Sequence, residues 1–174
     1  YVATQIGAHN AFGFDLQAAC SGFLYGMSSA ANYIESGRYQ KVLLIGADKM
    51  SSIVDYTDRS TCIIFGDGAG AILFEPSSND FGWEDSYFRS DGSGREFLNI
   101  KSGGSLHPFN ENTYAEGGHN IMQEGQMVFK NAVKNMADAA EKVMIQNQLI
   151  GSDIAYLLPH QANKRIIDAT ARRM

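Results

Sequence analysis

The chain has 174 residues, 44% of them hydrophobic and 19% charged, a composition that fits a globular protein with a proper core and excludes a disordered or collagen-like chain. Its net charge of −5 excludes a uniformly basic nucleic-acid binder, so no nucleic-acid partner is expected and an anionic partner must be met by a local patch. Cys20 and Cys62 are too few for a disulfide scaffold and read as reduced thiols of a cytoplasmic protein.

Tyr1 is not a natural start, which points to a longer chain. Phe12 to Leu16 suit a short buried strand. Between Asp15 and Glu35 lie nineteen uncharged positions. That run has the length of a membrane span, but Gln17, Asn32 and several Ser and Gly residues make a buried central helix the better reading, and no membrane partner is expected. Leu24, Met27, Ala31 and Ile34 have helical spacing, and Gly37 stops the helix. Val42 to Ile45 (VLLI) predict a parallel strand covered on both faces. Thr61 to Phe65 and Ala69 to Phe74 read as two more strands around the glycine-rich GDGAG, and Pro76 to Asp80 form a polar break. Ser102 to Gly118, rich in Gly, Ser and Asn, predict loop. A long amphipathic helix comes next, from about Gln126 to Gln148, with Phe129, Ala132, Val133, Met136, Ala140 and Val143 on one stripe. Ile154 to Leu158 form another strand-like run ending at PHQAN, and from Gln161 the pattern is helical to Met174, where the sequence stops without a cap. Alternating strands and helices predict an α/β class with a largely parallel sheet and no short-period repeat.

Two residues stand where such a protein does chemistry. Cys20, in LQAACSGF, falls between a predicted strand and a predicted helix, so its thiol meets a helix N-terminus whose unpaired N–H groups favour a thiolate. Ala18, Ala19, Ser21 and Gly22 are small enough for a tight elbow, and the uncharged surroundings predict a dry site. The alternative is a cysteine that merely packs as a small hydrophobe. His160 comes after a predicted strand and Pro159 and precedes a helix, which puts it at the C-terminal edge of a parallel sheet. A thiolate and an imidazole on equivalent strand ends make an acyl-transfer pair, although a lone histidine there is often structural. His9, His107 and His119 lack that setting and read as loop or surface residues. GDGAGA has no Walker-type lysine or following helix, so its glycines read as structural, marking close backbone approach. No Cys or His spacing suits a metal site.

Three separated stretches, FDLQAACSGF, TDRSTCIIFGDGAGA and PHQANKRI, occur in an order that strongly resembles the β-ketoacyl-acyl carrier protein synthase III family of thiolase-like condensing enzymes. The resemblance spans nearly the whole chain. It implies a layered αβαβα fold of two similar halves, and an acyltransferase that begins fatty-acid synthesis by condensing an acyl-coenzyme A primer with malonyl-acyl carrier protein, releasing carbon dioxide. It also implies no metal or organic cofactor, a homodimer, and acyl carrier protein and acyl-coenzyme A as partners. Cys20 would take the acyl group, and His160 would hydrogen-bond the malonyl thioester carbonyl, stabilising the enolate. The family's third catalytic residue, an asparagine on a later strand, lies beyond Met174, so the resemblance implies a central fragment that is not expected to turn over alone.

By the same resemblance Arg59 and Arg165 lie at the tunnel mouth where coenzyme A is held, a task that suits guanidinium groups because they fork onto phosphate and stay charged. Asn163, Gly125 and Phe129 match positions along the pantetheine path, and Ile64 and Phe65 match positions near the acyl pocket. Gly125, Phe129, Ile64 and Phe65 could equally be packing residues. Arg165 and Arg172 are seven apart on one helical face, which Lys164 and Arg173 widen into a patch for an acidic carrier protein or a merely solvated surface. Residues 1–80 would end the first half, with the nucleophile elbow, and 81–174 would begin the second, with the histidine motif. A ketoacyl synthase of secondary metabolism and a non-catalytic acyl-binding fragment remain as other readings.

Overall fold

A computed structural model of the chain describes residues 1–79 and 81–173. Its elements in chain order are α1 (Val2–Gln5), α2 (Gly22–Glu35), β1 (Val42–Asp48), β2 (Gly68–Phe74), β3 (Leu98–Ile100), α3 (Glu111–Ala115), β4 (Ile121–Gln123), α4 (Gly125–Gln146) and α5 (Lys164–Ala171), with short 3-10 turns between them. Two compact units are formed, one by Tyr1–Gly46 with Ala71–Trp83 and the other by Ala47–Gly70 with Glu84–Met174. Asp80, the last residue of the expected polar break, and Met174 lie outside the described residues.

In the first unit α2 forms where the apolar spacing predicts it, and its buried face is made of Gly26, Ala30 and Ala31. These are small because β1 lies directly against them: a β-carbon on Gly26 would collide with the Leu44 side chain, and one on Gly46 would sit 2.8 Å from the Phe23 ring. The helix ends as expected, with Gly37 in the left-handed region at φ +71 and its N–H donating 2.9 Å to the carbonyl of Ile34. β1 is hydrogen-bonded to β2 in a two-stranded sheet. Its burial alternates: Val42, Leu44 and Gly46 are half-buried, whereas Leu43 and Ile45 are each 44% exposed. The expectation of cover on both faces therefore fails within this chain, because α2 lies on one face only.

Phe12 to Leu16 is not a strand. No described segment pairs with it, and a strand exists only through its ladder. Its aromatic side chains instead join Tyr33 and Tyr39, with ring centroids 5.6 Å apart for Phe12 and Tyr39 and 5.5 Å for Tyr33 and Tyr39.

In the second unit Thr61 to Phe65, expected as a strand, is a series of turns knitted by Asp58. The Asp58 carbonyl accepts from the N–H groups of Thr61 (3.3 Å) and Cys62 (3.0 Å), while its carboxylate accepts from the Ser60 N–H (2.8 Å) and the hydroxyls of Ser60 (2.7 Å) and Thr61 (3.0 Å). Local side-chain bonds of this kind compete with extended structure and win here. β3 and β4 pair antiparallel, Leu98 opposite Gln123 and Ile100 opposite Ile121, which departs from the expected parallel pattern. The expected loop from Ser102 to Gly118 contains one five-residue helix, α3, started by a capping box between Asn110 and Thr113. α4 matches the long amphipathic prediction, with the whole predicted stripe half-buried and Ala137 buried. α5 packs on α4 and buries Ile166 and Thr170, one turn apart. Ile154 to Leu158 is not a strand either: Tyr156 and Leu158 are 86% and 90% exposed, and no described segment pairs with them.

Candidate active-site residues

Cys20 sits in a 3-10 turn, Ala19–Ser21, that runs straight into α2. The chain reverses at Ala19, whose φ of +45 is left-handed, a conformation that a residue with a β-carbon adopts at a cost of order 1–3 kcal/mol. Cys20 follows Ala19 directly, at the start of the helix. Among the described residues no side chain caps α2; its first N–H, that of Gly22, donates to the Ala19 carbonyl and that of Ser21 to the Ala18 carbonyl at 3.1 Å, so the helix acts on an anion here through its dipole. The elbow is present, but the dry setting is not: Cys20 is exposed, because residues 11 to 17 before it are all exposed and nothing described packs over the turn.

Cys62, by contrast, is half-buried in the turns after Asp58. Arg59 and Ile64 are exposed in the same turn series, and Phe65 is half-buried. The glycines of GDGAG do not mark close approach, since β-carbons on Gly66, Gly68 or Gly70 would meet nothing within 4 Å. Within this stretch the Asp67 carboxylate accepts from the Ser51 N–H and the Ser51 hydroxyl, both at 2.7 Å, and ties the turn after β1 to the start of β2. Lys49 donates to the same hydroxyl at 3.1 Å. These bonds, the backbone one foremost, hold the Asp67 carboxyl below the ordinary carboxylate range, and the hydrogen bonds from Ser60 and Thr61 do the same for Asp58.

A carboxyl with a depressed folded-state pKa stabilises the fold above its unfolded value and stops doing so as pH falls through the folded value. Asp67→Asn is therefore expected to lower the melting temperature near pH 6, with the gap from wild type closing below about pH 4 as the native carboxyl protonates. Thermal scans at pH 6 and pH 3 check this. A gap that stays constant would mean that the charge of Asp67 contributes nothing.

The second unit brings several candidates together. Asn163 is the N-cap of α5, its side-chain oxygen accepting from the Arg165 N–H at 2.9 Å. Arg165 in turn lays its guanidinium over the ring of Phe129 on α4, 5.2 Å from the centroid. Gly125 is the exposed first residue of α4. His160 precedes the cap by three residues; it is exposed and comes after an irregular segment rather than a strand. The basic patch is smaller than the sequence implies. Lys164 pairs with Asp168 at 2.8 Å, and Arg173 pairs with Asp138 at 2.7 Å and with Glu141 at 3.6 Å, which leaves Arg165 and Arg172 as its arginines outside these ion pairs.

His119, expected as a loop or surface residue, lies in the turns after α3 and stacks on Tyr114, with centroids 4.5 Å apart; among the described residues its Nδ1 is buried without a hydrogen-bond partner. The neighbouring pair of glycines is the signal for this in the sequence: Gly118 is buried, and a β-carbon on it would meet the carbonyl of Thr113 at 2.9 Å.

Comparison with known proteins gives these residues a setting. Residues 14–92 match the family described as 3-Oxoacyl-[acyl-carrier-protein (ACP)] synthase III. The β-ketoacyl-[acyl-carrier-protein] synthase III of Chlorobium chlorochromatii is 56% identical over 175 residues, covering 99% of this chain and 53% of that protein. Among solved structures, 3-oxoacyl-[acyl-carrier-protein] synthase III from Aquifex aeolicus VF5 superposes with a TM-score of 0.85 at 36% identity, over 99% of this chain and 51% of that one. The priming β-ketosynthase from the R1128 polyketide biosynthetic pathway superposes with a TM-score of 0.87 at 35% identity, over 99% of this chain and 50% of that one. The chain thus spans about half the length of the curated relatives it matches. With more than half of its residues identical to such a relative and the same backbone path as the solved structures, it has their thiolase-like α/β fold and belongs to the β-ketoacyl-[acyl-carrier-protein] synthase III family.

Proposed function

We propose that the protein carrying this chain is an acyltransferase that joins an acyl primer to a malonyl unit, with Cys20 and His160 as its catalytic residues. The observation that carries the reading is the elbow at Cys20: left-handed Ala19, then the thiol, then an α2 whose first turn has no side-chain cap. In the first step the Cys20 thiolate attacks the thioester carbon of acyl-coenzyme A, the bond to the coenzyme A sulfur breaks, and that thiolate leaves with the electron pair. In the second, malonyl-acyl carrier protein loses carbon dioxide and the electrons of the broken bond form an enolate. The enolate carbon attacks the Cys20 thioester, and the Cys20 thiolate is released. His160 donates a hydrogen bond to the enolate oxygen, where negative charge develops. No metal or organic cofactor enters either step.

Arg59 and Arg165 hold the coenzyme A phosphates, Asn163, Gly125 and Phe129 line the pantetheine path, and Ile64 and Phe65 border the acyl pocket. Residues 1–80 and 81–174 are the parts contributed to the two similar halves. Acyl-coenzyme A and acyl carrier protein are the partners, the assembly is a homodimer, and the site of action is the cytoplasm; among the described residues no helix is long and apolar enough to cross a membrane. A second reading, a priming synthase of polyketide formation, is supported by the likeness to the R1128 enzyme.

The test is to supply the full-length protein with a short acyl-coenzyme A and malonyl-acyl carrier protein. Carbon dioxide and ketoacyl-carrier protein in equal amounts are expected. Acyl loading without carbon dioxide release would reduce the protein to an acyl-binding one, and preference for a polyketide carrier protein over the fatty-acid one would favour the second reading.

Arg165 supplies a further check. Reversing it to glutamate places a negative charge beside anionic substrates while leaving the buried face of α5, Ile166 and Thr170, untouched. The Michaelis constant for malonyl-acyl carrier protein is expected to rise about tenfold, with little change in melting temperature, and the wild-type constant is expected to rise with salt. Equal constants for variant and wild type at low ionic strength would leave Arg165 a solvated surface residue.

A further inference from the structure

α5 has only eight residues, too few to be a stable helix alone, and its position depends on α4. The buried residues on the two helices, Ile166 and Thr170 on α5 and Ala137 on α4, are few, and two of the three are small. Such a surface permits close approach but sets the lengthwise register weakly. Register is marked instead by two contacts, one at the start of α5 and one just past its end. At the start, Arg165 lies over Phe129. At the end, one Arg173 nitrogen donates to the Asp138 carboxylate at 2.7 Å while the other donates to the Lys134 carbonyl at 3.3 Å. Arg173 stands two residues past α5, in the turn that closes it, and the two contacts advance in the same chain direction on α4, from Phe129 to Asp138, so the helices run in the same direction and one register satisfies both.

Asp138 is the joint of the second contact. Its carboxylate also accepts from Lys134 at 2.7 Å, one turn earlier on its own helix, and the hydrogen bonds from Lys134 and Arg173 hold its carboxyl below the ordinary range. Glu141 adds a weaker contact to Arg173 at 3.6 Å. The pair is partly exposed, with side chains 42% and 36% accessible, so its contribution to global stability is small. Its geometric constraint is larger: Arg173 is held both by a carboxylate and by a backbone carbonyl of the same helix.

We propose that Asp138 is a positioning residue that, through Arg173, fixes the register of α5 on α4 and so keeps Arg165 and the Asn163 cap in place to receive the phosphate and pantetheine parts of the substrate. The inference rests on the proposed function for its substrate and on the contacts between α4 and α5 for the lock. Without the lock, α5 retains its burial but frays from its C-terminal end, and Arg165 leaves the Phe129 ring for part of the time.

The experiment uses the full-length protein with Asp138→Ala, Arg173→Ala, the double variant, and the conservative Asp138→Glu. Hydrogen exchange read by mass spectrometry is expected to accelerate in the peptide covering 164–171 in both single alanine variants and to stay unchanged across α2. The Michaelis constant for malonyl-acyl carrier protein is expected to rise about fivefold in each single variant, with kcat within about twofold. The double variant should be no worse than either single, and Asp138→Glu should recover most of the loss. Wild-type exchange in 164–171 with either alanine variant would overturn the lock. Faster exchange with an unchanged Michaelis constant would overturn the positioning role. A wild-type protein without condensing activity would instead defeat the proposed function; coenzyme A binding by calorimetry, expected to weaken about fivefold in the alanine variants, then decides the positioning role on its own. If Asp138→Ala does not fold, Arg173→Ala carries the same readings.

Discussion

Cys20→Ser in the full-length protein is expected to abolish acyl loading, lowering it by roughly 10⁴-fold or more, because a serine hydroxyl is a far weaker nucleophile than a thiol unless a base takes its proton. In the wild type, a short acyl-coenzyme A should add one acyl group to the tryptic peptide that contains Cys20 and none to the peptide that contains Cys62. The two cysteines differ in their C-terminal neighbours. After Cys20 the chain enters α2 at once, so the thiol stands at the positive end of the dipole of a 14-residue helix. Cys62 lies among turns, its own N–H committed to the Asp58 carbonyl at 3.0 Å and its side chain half-buried. Mass spectrometry of the labelled peptides decides between them, and acylation at Cys62 would sink the assignment.

The exposed Cys20 bears on the same experiment. An acyl thioester in open water hydrolyses, and an enolate there gains little from one extra hydrogen-bond donor, so the chemistry needs cover that the described residues do not place over the turn. Acylated Cys20 is therefore expected to turn over to free acid faster in the isolated 174-residue chain than in the full-length protein, a difference that label retention over time measures.

The legibility of the residues divides along a physical line between local and non-local order. α2 and α4 are legible because a helix satisfies its backbone within itself and shows its buried face every three to four residues; Gly37 and the stripe from Phe129 to Val143 are local signals. The runs at Phe12 to Leu16, Thr61 to Phe65 and Ile154 to Leu158 are as apolar as strands, yet none is one here. A strand needs a neighbour, and apolarity says only that a segment seeks cover. At Thr61 the competing signal is readable in principle, since Asp58, Ser60 and Thr61 are side chains that bond their own backbone.

The candidate site divides the same way. Cys20 can be found from the small residues around it, because a tight elbow demands them whatever else is nearby. The Arg165 and Phe129 contact, the Asn163 cap and the Asp138 and Arg173 pair join residues whose meeting depends on how α5 lies on α4. Charge counting alone makes a basic patch of Lys164, Arg172 and Arg173; the neighbouring Asp168, Asp138 and Glu141 reduce it.

His160→Ala separates the two half-reactions. Attack of Cys20 on acyl-coenzyme A involves no malonyl unit, so a donor aimed at that unit has nothing to stabilise in it. Loss of carbon dioxide from the malonyl unit puts negative charge on the thioester oxygen, and that charge needs a donor aimed at it before it forms. Removing one such donor typically costs about 3 to 4 kcal/mol, so decarboxylation by the His160→Ala protein is expected to fall by roughly 10² to 10³, while acyl loading stays within a few-fold of wild type. Labelled carbon dioxide from malonyl-acyl carrier protein reports the first quantity, and the burst of labelled acyl group on the protein reports the second. Equal loss in both would show that the histidine activates the thiol instead. The size of the effect also reports on solvent: His160 is exposed among the described residues, and a donor in water is replaced by water at little cost. A loss near 10³ in the full-length protein would thus require that the segment from Pro159 to Asn163 be covered there, whereas a loss of only a few-fold would mean that the imidazole stays wet and that the enolate is stabilised by other groups.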